Sequence, residues 1–155
     1  MLPLGAVAQT QFTAEACEAL YAVPKTIVSQ IAWRATDART FRFVAKVQTS
    51  DGDVLDLHGH WSQNEFHGHK RWGFSLRYFG HCIRSWDMAT KHKNPNGGKW
   101  VRGPHKHKFD STKVPRFAYK PDPPLSDSDP NQSLMDFLTE SNIQLPSDYQ
   151  IVMFP

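Results

Sequence analysis

The sequence is poor in cysteine: its two, Cys17 and Cys82, stand far apart and in no metal-binding spacing. Two isolated thiols argue against both a disulfide scaffold and a cysteine zinc site. Long apolar runs are lacking too. None approaches the roughly 18 residues of a membrane span, and the start, MLPLGAVAQTQF, has neither the basic beginning nor the apolar stretch of a secretory signal. A cytoplasmic protein without membrane contact is the expectation. Lysine and arginine are missing altogether after Lys120, where Asp122, Asp127, Asp129, Asp136, Glu140 and Asp148 give residues 121–155 a formal charge of −6.

What is present is concentrated in the middle. Residues 58–120 carry 13 Lys and Arg against Glu65, Asp87 and Asp110, a formal charge of +10, and all eight histidines lie there. Such a field attracts a polyanion, RNA above all. The plainer explanation is a solvated basic face balanced by the protein's own acidic tail.

The length of 155 residues suits one domain with a real core. FTAEACEALYA (12–22) reads as a helix with Thr13 as cap, acidic groups near its start and Pro24 as its stop. The period then changes to two. TIVSQIAWRA (26–35), TFRFVAKVQT (40–49), VLDLHGHW (54–61), GFSLRYFG (73–80) and HCIRSWDM (81–88) read as strands. Asp37-Ala38, Asp51-Gly52 and Gly80 supply turns. NPNGGKW (94–100) reads as a loop, GPHKHKF (103–109) as an extended segment and PDPPLSDSDPNQ (121–132) as a mobile linker. SLMDFLTESNI (133–143) reads as a helix capped near Asn131 or Ser133, and QIVMF (150–154) as a last strand. The fold class is α+β: an antiparallel meander flanked by an N-terminal and a C-terminal helix. Residues 1–120 form a domain with a basic histidine-rich face, and the helix of 121–155 packs on or near it.

Three His-x-His pairs occur, His58/His60, His67/His69 and His105/His107, and His92 adds a lone imidazole. Residues two apart on a strand share a face. One chemistry this suits is metal-free RNA cleavage, in which an imidazole activates the ribose 2′-hydroxyl and another protonates the leaving oxygen. Lys and Arg would hold the phosphate. A second is a transition-metal site, with His-x-His as two ligands. The Lys and Arg surplus around His105 and His107 disfavours a dication, so no metal is expected there. His67/His69 read as a loop contact, and His58/His60 equally well as structural groups.

The segment Arg84, Trp86, Asp87, Ala89, His92, followed by Pro104, His105, Lys106, His107, resembles the TumE-type toxins of bacterial toxin–antitoxin modules. HKNPNGGKW…GPHKHKF is also similar to a related set of uncharacterised bacterial and phage proteins. The resemblance covers roughly residues 27–110. This chain departs from the pattern in its leading helix, its longer Gly/Asn loop and its acidic extension. The resemblance implies a meander core and a toxin-like, metal-independent endoribonuclease without cofactor. Catalysis would fall to His92, His105 and His107. Arg84, Lys106, Lys108 and Arg77 would hold the phosphate, and Asp87 would orient a histidine or pair with Arg84. RNA is the expected partner, with a cognate antitoxin or another protein beside it. The alternatives are a non-catalytic phage- or defence-related module that binds nucleic acid or protein, and a metal-dependent His-x-His enzyme.

Overall fold

The computed structural model describes residues 13–88, 91–94, 98–109, 117–121, 125 and 129–155. Phe12, Ala89, the loop centre 95–97, the segment 110–116 with Lys113 and Arg116, and most of the linker lie outside the described residues.

Alternation of apolar and polar residues builds the main sheet. Strands β1 (Lys25–Ile27), β2 (Arg34–Asp37), β3 (Thr40–Thr49), β4 (Val54–Gln63), β5 (Lys70–Tyr78) and β6 (His81–Asp87) follow in sequence. Strands β3 to β6 form the meander, each antiparallel to the next. The β5–β6 turn is two residues long, and both are left-handed (Phe79 φ 47°, Gly80 φ 78°), the geometry that matches the twist of paired strands. Next come β7 (Lys91–Lys93) and β8 (Trp100–Arg102), a separate hairpin. Strands β9 (His105–Lys108), β10 (Phe117–Tyr119) and β11 (Ile143–Gln144) return to the main sheet. Its order is β10-β9-β6-β5-β4-β3-β1-β11, with β2 also beside β3. Among the described strands only the β1–β11 pairing is parallel.

Helices α1 (Ala14–Ala22) and α2 (Pro130–Glu140) both cover one face of this sheet. The Thr13 hydroxyl caps α1 by accepting the Ala16 N–H at 3.1 Å. In α2, Phe137 meets Trp86 edge-on at 5.4 Å and lies 6.0 Å from Phe74. The core therefore lies between the helices and the side chains of one strand parity: Phe43, Ala45, Val47, Leu55, Leu57, Trp61, Phe74 and Leu76. No described helix is long and apolar enough to cross a membrane.

Three expectations are corrected. The first expected strand, 26–35, is broken between β1 and β2. At the break Ser29 Oγ accepts the Lys46 N–H at 2.8 Å, taking the place of a ladder bond, and the detour brings Trp33 edge-on to Phe43 at 4.7 Å. The second helix starts three residues early because Asp129 caps it, accepting the Asn131 N–H at 3.0 Å, with Pro130 in its first turn. Asn131 and Ser133, expected near the cap, are buried within the helix. Segment 150–154 is not a strand. The Asn131 amide takes both backbone groups of Val152, at 2.8 and 3.1 Å, and Phe154 stacks on Trp61 at 5.2 Å.

One buried ammonium ties the helices together. Lys25 Nζ donates to the carbonyls of Tyr21, Val23 and Ser141, each at 2.7 Å, at the C-terminal ends of α1 and α2. Cations are favoured at helix C-termini, where carbonyls lack partners. Burial pushes the Lys25 pKa down to about 8, which still leaves it charged at neutral pH. Lys25→Met should strand these carbonyls and cost about 1–3 kcal/mol. Urea denaturation should show a lower midpoint with an unchanged slope.

Candidate functional site

The face away from the helices carries the other strand parity, and two polar rows cross it. One row is Arg42, His60, Gly73, Asp87 and His105; the other is Val44, His58, Ser75, Ser85 and His107. A groove of about 280 Å³ lies over β3 to β6 on this face. Arg42, Arg71, Arg77, His58 and His60 line it, and among the described residues Asp87 is the single carboxylate in its lining. Gly73 is what admits the His60 ring, since a Cβ there would stand 2.8 Å from His60 Cε1 and 2.7 Å from the Trp86 carbonyl oxygen. Arg77 Nε donates to Ser75 Oγ at 3.3 Å, and an Arg71 guanidinium nitrogen lies 3.8 Å from Asp87.

Both groove imidazoles have pKa values below the ordinary 6.5. For His58 burial is the main cause, with Arg77 and Lys46 adding to it and Asp56 opposing. For His60 burial again leads, Asp87 opposes, and Arg71 and Arg42 push further down. Each is therefore neutral near pH 7, the form in which imidazole accepts a proton.

His92, His105 and His107 are brought together at the β9 end of the same face. Ring centroids are 4.7 Å apart for His92–His107 and for His105–His107, and 6.0 Å for His92–His105. The His105 ring is fixed by its Nδ1–H donating to the Gly103 carbonyl at 2.8 Å, and His107 Nδ1 lies 3.0 Å from Ser85 Oγ. His105 and His107 are each 1% exposed, so the folded chain keeps both from direct contact with a large substrate. His92 is half-buried.

The cations expected around these histidines face elsewhere. Lys106 and Lys108 alternate with His105 and His107 and so point to the helix face. There Lys106 pairs with Glu140 at 2.7 Å and lies over Trp86, while Lys108 lies over Phe117 and Tyr119. Arg84 is buried on that face too, 2.5 Å from Glu18 and over the Tyr21 ring. Of the four expected phosphate-holding groups, Arg77 alone lines the groove. Asp87 pairs with Arg71 and not with Arg84. With Lys106 and Lys108 turned away, the electrostatic ground for expecting no metal at the histidines falls.

Sequence reading passed over Arg42 and Arg71 and left His58/His60 undecided. The signal was there in parity: Arg42, His58, His60, Arg71 and Arg77 all occupy the polar positions of strands whose alternate residues are core. Comparison of the chain with protein-family models, with curated proteins and with solved structures finds no match.

A histidine held neutral by the fold destabilises the fold in acid. The unfolded chain protonates first as pH falls below 6.5, so the contribution of His58 and His60 to stability is full above that value and is lost below it. Denaturant titrations at a series of pH values should therefore show wild type losing stability more steeply below pH 6.5 than a His58→Gln/His60→Gln variant.

Proposed function

We propose that this chain acts on RNA, as a toxin-like endoribonuclease whose substrate phosphate sits in the groove of the open sheet face. The observation that carries the reading is the groove's composition: three guanidiniums and two neutral imidazoles against one carboxylate. Guanidiniums match phosphate oxygens with paired N–H donors and stay charged at any working pH. The resemblance of the Arg84–His92 and Pro104–His107 segments to TumE-type toxins supports the same substrate class.

The chemistry follows from the groups present. One imidazole of the His58/His60 pair takes the proton of a ribose 2′-hydroxyl, and the oxygen attacks the adjoining phosphorus. The P–O5′ bond breaks, and the other imidazole gives its proton to the leaving oxygen. A phosphate in the groove offsets the arginine field, which raises the histidine pKa values and protonates one of the pair in the complex. Arg42, Arg71 and Arg77 hold the charge that builds on the phosphate. No metal takes part at the reacting atoms. In this reading His58 and His60 take the acid–base roles in place of His92, His105 and His107, and the burial of His105 and His107 supports that choice. The reading implies action in the cytoplasm and, as for toxins of this type, a cognate antitoxin as partner.

Incubation of the purified protein with single-stranded RNA in magnesium-free buffer tests it. Wild type should cleave, and His58→Ala/His60→Ala should lose about 10²-fold or more of the rate while keeping its circular dichroism. Arg77→Ala should weaken RNA binding and lower the slope of log affinity against log salt by about 1. Full cleavage by the double histidine variant would return the chemistry to another site. Tight, salt-sensitive binding by wild type without any cleavage would make the chain a nucleic-acid-binding module.

A further inference from the structure

We infer that His92, His105 and His107 form a binding site for a divalent transition metal of the zinc class, which clamps the β7–β8 hairpin onto the main sheet. One ring nitrogen from each residue lies within 4.8 Å of the others. His105 and His107 share a face of β9 because they are two apart on a strand, and His92 comes from the hairpin, opposite Val101. The three imidazoles converge from two separate sheets.

The ring chemistry suits a ligand role. Since Gly103 O can only accept, His105 carries its proton on Nδ1, and the Nε2 lone pair points inward. That Nε2 is buried and has no hydrogen-bond partner among the described residues. A buried polar atom left in this state costs free energy unless something binds it. An imidazole whose outer N–H is anchored on a carbonyl, with its other nitrogen turned inward, has the arrangement by which proteins orient metal-bound histidine. Ser85 stands in the corresponding place on His107.

The electrostatics agree. Lys106 and Lys108 lie across the sheet, and Asp87 is opposite His105 in register on the same face. Three neutral nitrogen ligands select zinc, nickel, copper or iron(II) over magnesium and calcium, which take oxygen. An ion at its usual 2.0–2.1 Å from each nitrogen needs them roughly 3.3 Å apart. From within 4.8 Å, modest side-chain rotation in the cluster supplies the closure. Two three-residue strands make a marginal hairpin. Asn94 ties it to β10 through both backbone groups of Ala118, at 2.8 Å each, and the ion provides a further tie.

The experiment is a titration of the metal-stripped full chain with zinc chloride, followed by calorimetry and by thermal unfolding. About one zinc should bind per chain, and the unfolding temperature should rise with zinc concentration. Cobalt(II) in its place should give the strong visible absorption of a four-coordinate ion. His92→Ala removes a ligand from a hairpin outside the core, so it should fold as wild type does and bind zinc on the order of 100-fold more weakly or worse. Absence of stoichiometric zinc in wild type, or zinc binding unchanged in His92→Ala, would overturn the inference. His105→Gln gives a further check: loss of zinc with the fold intact supports the site, and wild-type zinc affinity refutes it.

Discussion

The period of two along each strand is the constraint on which the molecule rests. In β3 and β4 it sends Phe43, Ala45, Val47, Leu55, Leu57 and Trp61 toward the helices, and Arg42, Lys46, His58 and His60 the other way. A slip of one residue in β3 or β5 would turn Arg42, or Arg71 and Arg77, toward the helices and expose the apolar row, so the register is fixed by a large free-energy difference. The same rule separates two sets of cations that are mixed in sequence. Arg84, Lys106 and Lys108 fall on the helix side, where Glu18, Glu140 and aromatic rings occupy them. Arg42, Arg71 and Arg77 fall on the open side and form the groove.

The acidic tail accordingly has a specific relation to the basic middle. Glu140 neutralises Lys106 on the covered face. Among the described residues, the groove's Arg71 pairs with Asp87 and its Arg77 bonds to Ser75, neither of them in the tail. Charge balance within the chain thus consumes the cations used to dock the helices and leaves a basic field over the open face. That field steers an anion toward the groove at a rate that falls with ionic strength.

Much of the fold was legible because local signals were strong. Thr13 with Pro24, Asp51-Gly52 and the long alternating runs at 40–49 and 54–61 each name their element without help from distant residues. The early start of α2 has a local cause, the Asp129 cap with Pro130, but the other two departures come from distant partners. The strand at 26–35 breaks where Ser29 bonds β3 and Trp33 seeks Phe43. QIVMF has a strand's composition, yet its backbone is taken by Asn131 and its phenylalanine by Trp61. In the candidate site, grouping His92 with His105 and His107 was legible from their motif spacing. The faces of Lys106 and Lys108 were equally legible from alternation, but clustering in sequence was read as clustering in space. The role of Gly73 was not legible, because it depends on His60 lying opposite across the ladder.

The bond from Lys25 to Ser141 joins residues 116 apart, and β1 lies directly against β11. In a growing chain, the first helix and first strand are made long before the residues that complete their surroundings. Until α2 and β11 emerge, Phe74 and Trp86 lack the Phe137 ring that packs on both, and β1 lacks its outer neighbour. Contacts of such long range slow folding and leave strand edges open to other chains in the interval. Synthesis of the last quarter of the chain therefore sets the time at which the sheet, and with it the groove, becomes a finished surface.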